Sequence, residues 1–585
     1  MRLIGSMLRA IARAWDWARG SVPEASDAPR GLAPRIAYGM GYLRTLSAPS
    51  WRATLRGIVV AIGFAIFVGL EYVLAVLVIN YDTPLQDFPL LPAAWVPRLP
   101  IPVPGWMLIV AFFVSAVCLV VAASKPTVAY IGWLVLSPLG FLFLRMDFGE
   151  AMPAITFDRI ALAAIGLFLL ARTMLERHRL KRPFLAEWLI LGFVFYTFIL
   201  VYASHPGDPA QTLRTISERF DHIGLALIVY YIAKSVLVTR KHLNWALAGL
   251  VITGVYVAGS AFYEHFSGYS WFSTFLGGNY RLGYGDIGKG RAAGPLINPA
   301  AMGTFLGITA FLSFHFYAAV ERKSARFFCL LATALQLVGC YFCFTRSGYV
   351  AALLLLVSMP LLTKSYRKTY AALAVAAVLV VAVALPTLQG DSDLKRRMGQ
   401  PKTVLYRLAI TVATINIIKH HPWFGVGLGE IDHALAENVM NVGTMSGVYA
   451  RGYSPGDYQP RKKLIQPITS HNSILTICAE QGLIGGFLFV GAILAFILHL
   501  LRIRARMPMH GLLGRDLMTL LIVAVIGHVL STLGYDLRFF KYPSYFLWIL
   551  LAIGVRLGEI LDEERRAERP VEVALPESTG GLVHA

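Results

Sequence analysis

Charge is what this 585-residue chain lacks most. Asp, Glu, Lys and Arg together make up 15% of it, where a soluble globular chain carries about one-quarter. That shortage excludes an ordinary water-covered surface. Cysteine is scarce too: Cys118, Cys329, Cys340, Cys343 and Cys478 show no paired spacing and sit mostly in apolar runs, which implies neither a disulfide framework nor a metal site. No carboxylate pair of glycosidase type is evident, and no internal repeat. The alternating pattern of a membrane β-barrel is missing as well. What is present is apolar, 57% of all residues, in runs rich in Leu, Ala, Ile, Val and Phe. Their length, about 20 residues, is what a helix needs to cross a bilayer. The sequence therefore predicts an all-α integral membrane protein.

Spans are predicted over 57–79, 106–123, 127–144, 157–175, 184–203, 218–238, 243–262, 296–319, 326–343, 348–363, 369–387, 483–501, 517–534 and 542–557. This amounts to about 14 transmembrane helices, or 12 at the fewest, with a large helical loop before the last three. With the N-terminus inside, the loops at Arg172–Pro183, Thr239–His242, Glu321–Arg326, Lys364–Lys368 and Arg502–Arg515 become cytoplasmic, and almost all of them are visibly basic. Both termini are then cytoplasmic and the loop 389–482 faces the opposite side. The expected organisation is a basic cytoplasmic segment over 1–56, N-terminal membrane helices over 57–150 and a membrane core over 151–388. The outward loop 389–482, C-terminal membrane helices over 483–560 and a cytoplasmic tail over 561–585 follow. Within the first 20 residues, Leu3, Ile4, Met7, Leu8, Ile11 and Trp15 fall at helical spacing against Arg2, Arg9, Arg13 and Arg19. That pattern predicts a helix lying on the anionic inner leaflet, with no cleaved signal peptide. The tail after Asp562 is polar and is expected to be disordered.

The net charge of +20 would suggest nucleic acid in a soluble protein. In a membrane protein most of it follows from topology, so the expected partners are membrane lipids and no nucleic acid. The informative cations are those on the wrong side of the sorting rule. The loop 389–482 carries Lys395, Arg396, Arg397, Lys402, Arg407, Lys419, Arg451, Arg461, Lys462 and Lys463, and Arg281, Lys289, Arg291 and Arg346 lie in other outward turns. An anionic substrate, a diphosphate or an acidic glycan, is the simplest reason to retain them; outer-leaflet headgroups are the alternative.

Four constellations carry these charges. Gly290 to Pro299 brings Arg291, whose guanidinium can fork onto phosphate oxygens, just before Asn298-Pro299, an ordinary helix cap and first position. Phe344-Thr-Arg-Ser-Gly-Tyr349 is a tight turn that holds Arg346 at the hydrocarbon edge, where it must snorkel or pair. Arg407 lies within a stretch over 402–419 that reads as a helix on the membrane surface, with Leu405, Leu408, Ile410, Val412, Ile415 and Ile418 buried. Pro422 and the glycines of His420-His421-Pro-Trp-Phe-Gly-Val-Gly-Leu-Gly429 then end it. No strand precedes this Gly-rich loop, which excludes a dinucleotide site, and His420 and His421 lack a carboxylate at metal-ligand spacing. Finally, Ser470 to Gly485 sets His471 beside Asn472 at the membrane interface, with Glu480 just over two turns on and Leu475 and Ile484 towards the core. A histidine there could take a proton from an attacking hydroxyl or stabilise a departing diphosphate.

Taken in order, these residues resemble the bacterial O-antigen ligase and O-antigen polymerase superfamily. The resemblance covers roughly 160–560. It runs from Arg291-x-x-Gly294 and Asn298-Pro299 to Thr345-Arg-Ser-Gly348, Arg407 and His421-Pro-x-x-Gly-Val-Gly-x-Gly429. It closes on His471-Asn472 and, nine residues on, Gly482-x-x-Gly485. The N-terminal segment to about 150 and the insert 437–466 fall outside the pattern. The resemblance implies metal-independent glycosyl transfer at the periplasmic face of the bacterial inner membrane, with no cofactor. Undecaprenyl-diphosphate-linked glycan would be the donor, and a glycan, lipid A-core or protein hydroxyl the acceptor. It also implies roles: His471 as the catalytic or substrate-orienting group, Arg291, Arg346 and Arg407 as diphosphate ligands, and His421, Asn472, Glu480, Gly482 and Gly485 in support. Ligation and polymerisation both remain open. The rival reading is a transporter of polysaccharide or lipid-linked oligosaccharide, which predicts inverted repeats and broken helices.

Overall fold

The computed structural model describes residues 125–143, 145–146, 155–176, 183–204, 212, 215–216, 219–268, 291–390, 401–435, 470–537 and 541–568. The two spans expected over 57–79 and 106–123, the interfacial N-terminal helix and the insert 437–466 lie outside these residues. The helices are α1 (Pro126–Phe143), α2 (Phe157–Glu176), α3 (Leu185–Ser204), α4 (Leu225–Val236), α5 (Arg240–Ser267), α6 (Pro299–Ala319), α7 (Lys323–Phe342), α8 (Arg346–Leu362), α9 (Arg367–Gly390), α10 (Pro401–His420), α11 (Ser473–Arg506), α12 (Arg515–Ser531) and α13 (Lys541–Glu568). One departure from the all-α expectation is small: β1 (Arg145–Met146) and β2 (Ile155–Thr156) pair antiparallel over two residues. Contacts divide the chain into two units. Among the described residues the first holds 125–129 and 163–176, the N-terminal end of α1 and the C-terminal part of α2; the second holds 130–162 and all that follows Lys181. The rest of the description concerns the second unit.

Among the described residues, six helices (α3, α5, α6, α7, α11 and α13) are long and apolar enough to cross a membrane, and α8, part of α1, and α4 with the residues from His222 are shorter apolar helices. Two spans form the centre: α6 and α13 bury 89% and 94% of their apolar windows, whereas α7 buries 28%. A helix apolar all round is a buried one, and small residues let such helices close up. Gly303 and Gly307 of α6 face Gly348 and Ala352 of α8 so closely that the Gly303 and Gly348 backbones touch. That approach seats the start of α8, which carries Arg346, against the start of α6.

The two ends of this bundle are tied by different contacts. At one end, Ala292 N–H donates to Phe342 O at 3.1 Å, Thr345 Oγ1 donates to Pro299 O at 3.2 Å, and Ser473 N–H donates to Thr532 O at 3.1 Å. The other end is basic and tightly tied. Asp516 accepts from the backbone N–H of Lys364, Ser365 and Tyr366, Arg504 donates to Leu362 O, and Arg556 donates to Leu237 O. There α13 runs to Glu568 as helix, so residues 563–568, expected to be disordered, are helical. Its acids are engaged: Asp562 pairs with Arg506 at 2.9 Å and Glu564 with Arg240 at 2.6 Å.

Two elements differ from their expected form. The span expected to start at 483 is the second part of α11, which begins ten residues earlier, because Asn472 caps it by accepting from Ile474 and Leu475 N–H at 3.1 Å each. The surface helix α10 buries Ala409, Ile410, Ala413, Thr414 and Ile417, while Leu408, Val412 and Ile415 are exposed and Ile418 is half-buried. The expectation merged two opposite faces into one: the helix has a protein-facing stripe against Ile431, Leu435 and Ala479, and an apolar outer stripe.

Candidate functional site

The site begins with three strained turns. Among the described residues, the non-glycine residues with left-handed φ are Ile297 (60°), Phe344 (45°) and His471 (51°). Each sits in one of the constellations read from the sequence. Such conformations cost on the order of 1 kcal/mol or more and persist because the surroundings over-determine them. Around Ile297, the 3₁₀ turn Gly294–Leu296 leads into Asn298, whose Oδ1 caps α6 by accepting from Ala300 and Ala301 N–H at 2.8 and 3.0 Å. The expected cap and first-position proline are both there. Arg291 stands one turn earlier and its Nε donates to Cys343 O at 3.2 Å, which ties the first constellation to the second. The buried carboxylate of Glu264 holds the same loop, accepting from Ala293 and Gly294 N–H at 2.8 Å each.

Phe344 turns the chain so that Arg346 opens α8 with its side chain exposed. Its charge reaches Arg407 on α10. Partial burial first, and Arg346 second, pull the Arg407 pKa below its ordinary 12.5, although the residue keeps an exposed edge. Arg407 in turn acts on His471. The imidazole, half-buried, has its pKa lowered from 6.5 first by burial and then by Arg407, with Asp536 opposing. The structure thus brings Arg346, Arg407 and His471 into one electrostatic neighbourhood, with Arg291 joined to it through the 343–346 turn.

Behind His471 stands a buried hydroxyl chain. Ser470 Oγ accepts from Asn472 N–H and meets Thr476 Oγ1 in a short hydrogen bond, and Thr476 Oγ1 donates to Asp536 Oδ2 at 3.0 Å. Ser473 Oγ accepts from Leu537 N–H at 2.9 Å and donates to Tyr535 O at 3.2 Å. The connection between the last two helices is therefore a buttress for the His471 turn. Asn472 acts here as the helix cap.

The remaining motif residues build a second, structural junction. The helix α11 breaks its helical dihedrals at Gly482, with φ 69° and ψ −174°, a region essentially confined to glycine. The loop after α10 docks on that break. Val426 N–H donates to Ala479 O at 2.9 Å, Gly427 N–H to Glu480 O at 3.2 Å, and Leu483 N–H to Pro422 O at 2.7 Å. A Cβ on Gly482 would run into the Trp423 carbonyl, and one on Gly425 into the Glu480 backbone. Glu480 itself is buried and forms an ion pair with Arg219 at 2.8 Å, while accepting from Gly429 N–H at 3.2 Å. Gly485 leaves room for Gln481, whose Oε1 accepts from Thr197 at 3.0 Å. His421 takes part through its backbone, accepting from Gly425 N–H at 3.2 Å, with its side chain exposed.

Sequence reasoning missed Arg219, Glu264, Thr476 and Asp536. Arg219 could have been found, since it is another cation at the site end of a span and the sorting rule flags such residues. Asp536 and Glu264 are single acids at span ends, and nothing local marks them. Among the described residues, no three His, Cys, Asp or Glu side chains gather as a metal-holding group.

Fold and site together define a polytopic, helical membrane protein with a cationic cluster around a histidine at one end of its bundle. Residues 331–490, a little over a quarter of the chain, match the family model described as O-antigen ligase. The chain thus carries an O-antigen ligase domain over this segment, which supports a membrane glycan function of that type. No curated protein matches the chain. The matched segment contains Arg346, Arg407, the Gly-rich loop and His471; Arg219, Glu264, Arg291 and Asp536 lie outside it.

The junction makes a sharp prediction. Gly482→Ala adds a methyl where both dihedrals and space forbid it, so it should cost about 3 kcal/mol or more. The expected result is a lowered apparent Tm in detergent and faster proteolysis within 421–429. Gly259→Ala, in the middle of α5 with open space around its Cβ position, should leave both unchanged.

Proposed function

We propose that the chain is a glycosyltransferase of the O-antigen ligase and polymerase type. It transfers or polymerises an undecaprenyl-diphosphate-linked glycan on the periplasmic face during surface polysaccharide synthesis. The observation that carries this reading is the convergence of Arg346, Arg407 and His471 in a chain with an O-antigen ligase domain. Clustered cations repel one another and favour an anion between them. The basic loops at the opposite end of the bundle support the assignment of that end to the cytoplasm.

The proposed chemistry uses this chain's own groups. Arg291, Arg346 and Arg407 bind the diphosphate oxygens in charge-assisted hydrogen bonds. His471, kept neutral at pH 7 by its lowered pKa, takes the proton of the acceptor hydroxyl. The hydroxyl oxygen forms a bond to the anomeric carbon as the bond from that carbon to the diphosphate oxygen breaks. Undecaprenyl diphosphate leaves with the electron pair, and the arginines stabilise the charge that builds on it. His421, Asn472, Glu480, Gly482 and Gly485 support the site by fixing the loop and the helix start.

The direct test deletes the gene, profiles surface glycan, and complements with His471→Ala or Arg407→Ala. Both variants, at wild-type protein level, should fail to restore glycan; normal glycan from both would overturn the mechanism. Accumulated single repeat units in the deletion would indicate polymerisation, and free polymer without attachment would indicate ligation.

The pH profile tests the same assignment independently. A base must be unprotonated, so activity should fall as pH drops through the His471 pKa, with the acid limb below 6.5. Arg407 lowers that pKa, so Arg407→Gln should shift the limb of its residual activity to higher pH. Asp536 raises it, so Asp536→Asn should move the limb to lower pH.

A further inference from the structure

Among the described residues, the outer stripe of α10 has no protein partner to account for it. Leu408 is 51% exposed, Val412 37% and Ile415 38%. They lie opposite the buried stripe Ile410, Ala413 and Ile417, as helical periodicity requires. The turn after the helix continues in register, since His421 N–H donates to Ile417 O and Gly425 N–H to His421 O. Trp423, about three turns beyond Val412, extends the same stripe, and Trp423 and Phe424 are 64% and 62% exposed.

We infer that this face is a membrane contact, seated at the boundary between headgroups and acyl chains of a phospholipid bilayer. Three observations select lipid as the occupant. The stripe is continuous with the outer face of α11, a membrane-length helix: Leu483, whose N–H bonds to Pro422 O, is 47% exposed, and Phe487, one turn deeper, is 71% exposed. A tryptophan at the rim of an apolar face suits the interface, where the ring is half apolar and half polar. The flanking charges are cationic: Arg407 at one side and Lys419 at the end, both exposed. Their sign matches phosphate headgroups, and the Lys419 stem can snorkel. The consequence reaches the site, because a helix seated in the interface holds Arg407 at headgroup depth. The inference does not depend on the proposed glycosyl transfer.

The test uses the full-length protein and its Trp423→Phe variant in phosphatidylcholine vesicles. The difference in their emission isolates Trp423. Lipid brominated near the top of the acyl chain should quench this difference signal at least about twofold more than aqueous iodide does. Quenching by iodide without quenching by bromolipid would place Trp423 in water and overturn the inference. Quenching by neither would mean that a protein segment covers the face, for which 436–469 is the nearest candidate in sequence, and would overturn it equally. Ile415→Cys gives a second reading: a membrane-impermeant maleimide should label it no faster than the parent chain in vesicles but faster in detergent. Equal excess labelling in both would contradict the inference.

Discussion

The architecture of the candidate site depends on one junction, the docking of the loop 421–429 onto the break in α11 at Gly482. A membrane-length helix has no free backbone donors or acceptors in its interior. The positive φ of Gly482 frees the carbonyls of Ala479 and Glu480 and the N–H of Leu483, and the loop returns a partner to each. In an apolar surrounding, an unpaired backbone group costs about 1–3 kcal/mol, so loop and break stabilise each other. The Glu480–Arg219 ion pair reinforces the junction from the side of the π-turn Phe220–Gly224. Both α10 and the His471 turn are anchored to this one feature, and Arg407 is thereby fixed relative to His471.

Electrostatics pull the other way. Arg346 lowers the pKa of Arg407, and Arg407 in turn that of His471, which is a cost to the protein by itself. The buried Asp536 offsets part of that cost behind His471 and leaves the front of the cluster positive. A site arranged in this way is stabilised when a dianionic group enters it. The strained φ at Ile297, Phe344 and His471 fits the same picture, since each strained residue aims a cation or its loop towards the cluster.

Much of this was legible in the sequence, and the reasons are physical. Apolar run length located twelve helices among the described residues, because crossing a bilayer imposes a length on composition. The sorting rule located the cations whose presence topology does not explain, and three of the four that mattered were named from it. Glycine motifs were visible but their meaning was not. Gly425 and Gly482 are there because two backbones touch, and contact between segments so far apart in sequence leaves no local signature. The same holds for Asp536 and Glu264, single acids whose roles come only from packing. On α10 the sequence pattern was read as one apolar face where the helix has two, since a surface helix with protein on one side and lipid on the other carries hydrophobics on both.

The central claim is that the arginine cluster binds a diphosphate carried on a lipid. The most direct measurement is the affinity of the purified, full-length protein for undecaprenyl diphosphate in nanodiscs, for the wild type and for Arg346→Gln, Arg407→Gln and the double variant. Each lost arginine should weaken binding by about tenfold or more, as a charge-assisted hydrogen bond of roughly 1.5–3 kcal/mol implies, while His471→Ala should bind nearly as the wild type does. Unchanged affinity in the double variant would contradict the account.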